Sequence, residues 1–119
     1  MQDDMYREYV DRIERIHDDR LMYEKNIRQL DDFSTDMQSI DSVMSVLMEE
    51  LMLTNRDDHS FMKELYSISE DLQEARVAVD NNITYKYEDI MCELQQLDEL
   101  EQQVEYDYRT FVNENYDEE

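Results

Sequence analysis

Residues 54–60 read Thr54-Asn55-Arg56-Asp57-Asp58-His59-Ser60, the one stretch of this 119-residue chain with neither an apolar period nor strong helix formers. Asp58 and Ser60 are each suited to cap a helix that follows, because a short side-chain oxygen can accept from the first free backbone N–H groups. The heptapeptide therefore predicts a turn at about 55–59. A connection that short makes the helices on either side antiparallel neighbours.

Before the turn, apolar side chains step by four and three: Tyr9, Ile13, Ile16, then Arg20, Tyr23, Ile27, Leu30, then Ser34, Met37, Ile40, Met44, Leu47, Leu51. This is a heptad-like stripe with a phase slip near Ile40. After the turn the pattern resumes with Phe61, Leu65, Ile68, Leu72, Ala75, Val79, Asn82 or Ile83, Tyr87, Ile90, Leu94, Leu97, Leu100 or Glu101, Val104, Tyr108 and Phe111. The spacing predicts one all-α domain over 1–119, a long, coiled-coil-like antiparallel two-helix hairpin. Its helices are expected at about 3–54 and 60–114, with an acidic tail at 115–119.

Both predicted helices turn polar at one height, at residues 31–36 (Asp31, Asp32, Ser34, Asp36) and at Asp80-Asn81-Asn82. Two readings fit. Either these residues form a polar layer that fixes register, or both helices break there and the chain folds into a four-helix bundle; the lack of glycine and proline favours unbroken helices.

Pairing about residue 57 sets residues 1–30, with six basic and eight acidic side chains, against residues 84–114, with two basic and nine acidic. Arg7, Arg12, Arg15, Arg20, Lys25 and Arg28 are then expected along the acidic C-terminal arm. The same register places Tyr6 and Tyr9 opposite Tyr106 and Tyr108, near Met5 and Phe111, so an aromatic cluster should close the open end.

Composition narrows function. The chain has no glycine, proline or tryptophan. Tight hairpins, phosphate-cradling loops and dinucleotide fingerprints lose the residue they depend on. A formal net charge of -22 repels nucleic acid and anionic membrane surfaces. The single cysteine, Cys92, rules out an internal disulfide, fits a reducing compartment and is expected to be a half-exposed spectator thiol. No signal peptide or membrane-spanning run is read, so the expected location is cytoplasmic, with export beside a partner as the alternative.

Catalytic constellations are sparse. Glu14 and His17 make one Glu-x-x-His, whereas a di-iron bundle needs two copies and two further glutamates. Asp31-Asp32 with Asp36 has the wrong spacing for an aspartate-rich magnesium motif and reads as helix capping. Neither histidine is expected level with Cys92, and nothing suggests an oxyanion hole. No catalytic residue, metal ligand or cofactor is assigned, and the chain is read as non-enzymatic.

The informative stretch runs from Val43 to Leu53, which is apolar over more than one stripe. With Met44, Leu47 and Leu51 given to the seam, Val43, Val46 and Leu53 occupy a second face and Met48 and Met52 a third. These five are the expected partner-binding residues, since a two-helix hairpin covers little surface and methionine adapts to partner helices. The occupant is either another helical protein or a second copy of this chain.

A small chain that is almost wholly a helical hairpin and exposes this face resembles the WXG-like small proteins of type VII secretion, and looks most like their Lap class. The resemblance covers the whole chain in architecture and no diagnostic motif. There is no Trp-x-Gly at the turn. Tyr66 with Glu70 and Tyr85 with Asp89 match an aromatic-x-x-x-acid pattern but are not carried over as a signal. The resemblance implies an accessory chaperone that binds the helical N-terminal domain of an LXG-type toxin, with a second small hairpin protein as a further partner. The alternatives are a self-assembling structural or phage-type bundle, and an acidic mimic of nucleic acid.

Overall fold

The computed structural model describes residues 2–118, with side chains described for residues 3–115. It contains two helices, α1 (Gln2–Asn55, 54 residues) and α2 (His59–Glu118, 60 residues), and no strand among the described residues. The fold is the expected all-α antiparallel hairpin. Neither helix breaks at 31–36 or 80–82. There Thr35 and Thr84 donate their hydroxyls to the carbonyls of Asp31 and Asp80, each at 3.0 Å, which seats polar side chains on a helix without ending it. Residues 115–118 continue α2 rather than forming a separate tail, and Glu119 lies outside the described residues.

Residues 56–58 make the connection. The Asp58 N–H donates to the Asn55 carbonyl at 2.9 Å, and the Phe61 N–H donates to Asp58 Oδ1 at 3.1 Å. Of the two candidate caps, Asp58 is the one used, reaching the third helical residue as an N-cap does. Among the described residues none has positive φ, so the chain reverses with no position that asks for glycine.

Contacts divide the chain into two compact units, Met1–Ile27 with Glu88–Glu119, and Arg28–Tyr87. In the first, Ile16, Leu97 and Val104 are buried, with Tyr9, Ile13, Tyr23 and Leu94 packed against them. Tyr9 stacks on Tyr108 at 4.3 Å between ring centroids, and Tyr6 meets the same ring at 6.2 Å and a tilt of 55°. The aromatic cluster is therefore centred on Tyr108. Tyr106, expected there, is exposed because a residue two places away points elsewhere on a helix.

In the second unit Leu65 and Ile83 are buried. Its seam differs from the expected one. From Ile13 to Met48 the buried and half-buried residues of α1, Asn26 apart, alternate by three and four with no slip: Ile13, Ile16, Arg20, Tyr23, Ile27, Leu30, Ser34, Met37, Asp41, Met44, Met48. Ile40, Leu47 and Leu51 are exposed, and Met48 and Met52 are half-buried. On α2, Ser69 and Arg76 take the places expected of Ile68 and Ala75.

The physical reason lies in continuity. An unbroken helix carries its phase, and without an inserted residue the heptad set by Ile13–Ile27 runs on into Asp41 and Met48. The ladder pairs Tyr9 with Tyr108, Asp31 with Tyr87 and Asp41 with Arg76, centring register on residues 58–59 rather than 57.

Replacing Asp58 by alanine should cost about 1 kcal/mol of stability. Ser60→Ala, which removes no cap, should be nearly neutral. Chemical denaturation followed by circular dichroism measures both.

Candidate functional site

Each unit holds one ionic crosslink on its seam. In the first, Arg20 Nη2 lies 2.8 Å from Glu101 Oε2 and 3.0 Å from Asp98 Oδ1. The hydrogen bond from Arg20 to Glu101 is the main reason the guanidinium pKa is raised, with Asp98 adding to it against some loss of hydration. Glu101, not Leu100, is thus the seam residue at this level. Of the six cations expected along the acidic arm, Arg20 is the one in an ion pair with it among the described residues. Arg7, Arg12 and Arg15 instead share a shallow depression with Asp4, Glu8 and Asp11 of their own helix.

In the second unit Arg76 Nε lies 2.9 Å from Asp41 Oδ2 and 3.4 Å from Asp80 Oδ1. The Arg76 side chain is 19% exposed, and its Nη1 is buried without an acceptor among the described protein atoms. A buried donor without a partner is costly, so this seam position is held by the pair and by the apolar stem of the arginine, not by full hydrogen bonding.

The consequence is a rearranged surface. Of the five expected docking residues, Val43, Val46 and Leu53 are exposed, while Met48 and Met52 turn half-buried toward the seam. Met48 stands seven residues after Asp41, whose carboxylate reaches α2, so the two share one face of α1. Sequence reasoning missed Ile40, Leu47, Leu51, Ile68 and Leu72 as surface residues. Ile40 and Ile68 are each 52% exposed and Leu47 48%. The signal that could have found them is the heptad from Ile13 continued without a slip, which puts Asp41 rather than Ile40 on the seam.

Other candidate chemistry is dispersed. Glu14 and His17 are exposed and line an open depression with Arg20, Glu101 and Glu105. Among the described residues no group of three or more His, Cys, Asp or Glu is arranged to hold a metal ion. Cys92 is exposed rather than half-exposed, and free, with the Gln96 amide 3.8 Å from its sulfur. Asp31, read as a cap, accepts the phenol hydrogen of Tyr87 instead. No helix among the described residues is long and apolar enough to cross a membrane.

No protein-family model, curated protein or solved structure matches this chain.

Two predictions test the seam. Asp41→Leu alone should destabilise the protein, because Arg76 loses its nearer carboxylate and keeps only Asp80 of its own helix. Asp41→Leu with Arg76→Leu should restore or exceed the original stability, since a well-packed apolar pair often replaces a partly buried ion pair at no loss. Urea midpoints of the three proteins decide it.

The Tyr87 and Tyr23 phenols should ionise above the ordinary phenol pKa. The hydrogen bond to Asp31 raises the Tyr87 pKa, aided by lost hydration and the Asp31 charge; lost hydration raises that of Tyr23, followed by the charges of Glu93 and Asp19. Both shifts favour the protonated phenol in the folded state. Their contribution is complete below the ordinary phenol pKa of 10.0 and is lost as pH rises through the folded-state values. A spectrophotometric titration should show Asp31→Ala lowering the pKa of the Tyr87 phenol, with Tyr87→Phe identifying its signal.

Proposed function

We propose that this protein is a non-enzymatic helical interaction module whose task is to pack against another helical protein. The observation that carries this reading is the exposure of Ile40, Val43, Val46, Leu47, Leu51 and Leu53 within fourteen consecutive residues of α1. Monomers that live alone in water rarely leave so many large apolar side chains together. A two-helix seam shields each helix on one side only, so a further helix is the natural cover.

Within that reading, the chain is an accessory or targeting chaperone of the Lap type. It escorts the helical N-terminal domain of an LXG-type toxin to a type VII secretion apparatus. The small size, the hairpin and the unsatisfied apolar stretch support it. The chaperone acts in the cytoplasm and can accompany its partner outward.

Crosslinking of the tagged full-length chain in its source cells, followed by mass spectrometry, tests both levels. The expected result is an equimolar complex with a protein that begins in long helices, whose export stops when this chain is deleted. Recovery of the chain alone at native expression overturns the interaction reading. A stable partner whose export is indifferent to the deletion overturns the targeting role only.

A further inference from the structure

The seam of the Arg28–Tyr87 unit sorts its neighbours by side. On α1 the residue just before each of three seam positions is apolar: Phe33 before Ser34, Ile40 before Asp41, Leu47 before Met48. The residue just after is polar: Thr35, Ser42, Glu49. On α2, Ile68 and Ala75 precede the seam residues Ser69 and Arg76, and Glu70 and Val77 follow them. One residue is about 100° of helix. Because the two helices run antiparallel, one step back on each turns toward the same side of the unit. Ile40, Leu47, Leu51, Ile68 and Leu72 therefore share one flank, all of them exposed. The opposite flank carries Val77 among Glu70, Gln73 and Glu74, so its apolar surface is interrupted.

Two features say what covers the apolar flank. Its residues recur by sevens, 33–40–47 on α1 and 68–75 on α2, which is the period of a surface that receives a helix. The exposed side chains three or four places from the stripe, and so beside it on the helix, include Asp36, Glu50, Glu64 and Asp71. Among those neighbours the cation is Arg76, already engaged with Asp41 and Asp80. Residues 36–72 as a whole hold nine Asp and Glu against Arg56 and Lys63. A second copy of the chain would bring the same acidic rim against its own, inside the distance over which charges still act at ordinary salt.

We infer that this flank receives an amphipathic helix from a different protein, with its apolar stripe bordered by lysine or arginine. The inference rests on the interaction reading above and names the side of the unit and the charge of the partner. From Ile40 to Leu51 the flank spans about 16 Å of α1, or roughly three turns of the incoming helix.

Three synthetic helices of about three heptads each test it with the full-length chain. One carries Leu and Ile at the core positions with lysine on both borders; one replaces the lysines by glutamate; one keeps the lysines but has glutamine in the core. The first should bind at least about tenfold tighter than the other two and weaken as salt is raised. Leu47→Ser with Ile68→Ser should abolish that binding at unchanged helicity, whereas Leu21→Ser in the other unit should leave it intact. Equal binding of the lysine and glutamate helices, binding of the glutamine-core helix, or indifference to the double substitution overturns the inference. So does self-association that strengthens with salt and is lost on the same double substitution. A native partner recovered by crosslinking without any lysine preference here refutes this assignment and leaves the interaction reading standing; absence of both refutes the two together.

Discussion

The position of Arg76 between Asp41 and Asp80 is the constraint from which the surface of the Arg28–Tyr87 unit follows. Two phases were open to these helices. One would turn Ile40, Leu47, Ile68 and Ala75 to the seam; the other turns Asp41, Met48, Ser69 and Arg76 to it, each half-buried. Counted by apolar area alone, the first wins. The second is adopted because α1 is one uninterrupted helix whose heptad is already set by Ile13, Ile16, Tyr23 and Ile27, and because an arginine can lay its stem in the seam while its head finds two carboxylates. An ion pair of this kind specifies which faces meet more than it stabilises their meeting. What it leaves outside is a row of large aliphatic side chains.

The fold was legible in the sequence because its determinants are local. The absence of glycine, the three-four spacing and the Asp58 cap each act within a turn of helix, so the two helices, their antiparallel sense and the site of the reversal could be read directly. The aromatic closure was legible for the same reason, except that Tyr106 sits two residues from Tyr108 and cannot share its face. The phase of the second unit was not legible by counting apolar residues, because the heptad carried on from Ile13 puts Asp41 on the seam, and its pairing with Arg76 joins residues distant in sequence. Met48 and Met52, read as surface, and Leu47 and Leu51, read as core, changed places with that phase.

The charge distribution carries a related lesson. A net charge of -22 suggests a molecule held apart by its own repulsion. The structure instead places Arg20 and Arg76, two of its eleven cations, on the seams, where they oppose carboxylates across the hairpin. Most of the remaining acidic groups face water. The excess negative charge is thus a property of the outer faces, where it opposes random association and selects which apolar surfaces can approach.

The three-residue connection at 56–58 also bears on how the chain assembles. The contact between Asp41 and Arg76 closes a short loop, while Tyr9 and Tyr108 must find each other across nearly the whole polypeptide. Closing a longer loop costs more chain entropy, although the cost grows slowly with length. Pairing that begins beside Asp58 and advances by one heptad at a time always meets the next partner at short effective separation, so the tyrosine stack joins last. Of the contacts named, the Tyr9–Tyr108 stack thus carries the largest closure cost, and the bonds around Asp58 the smallest.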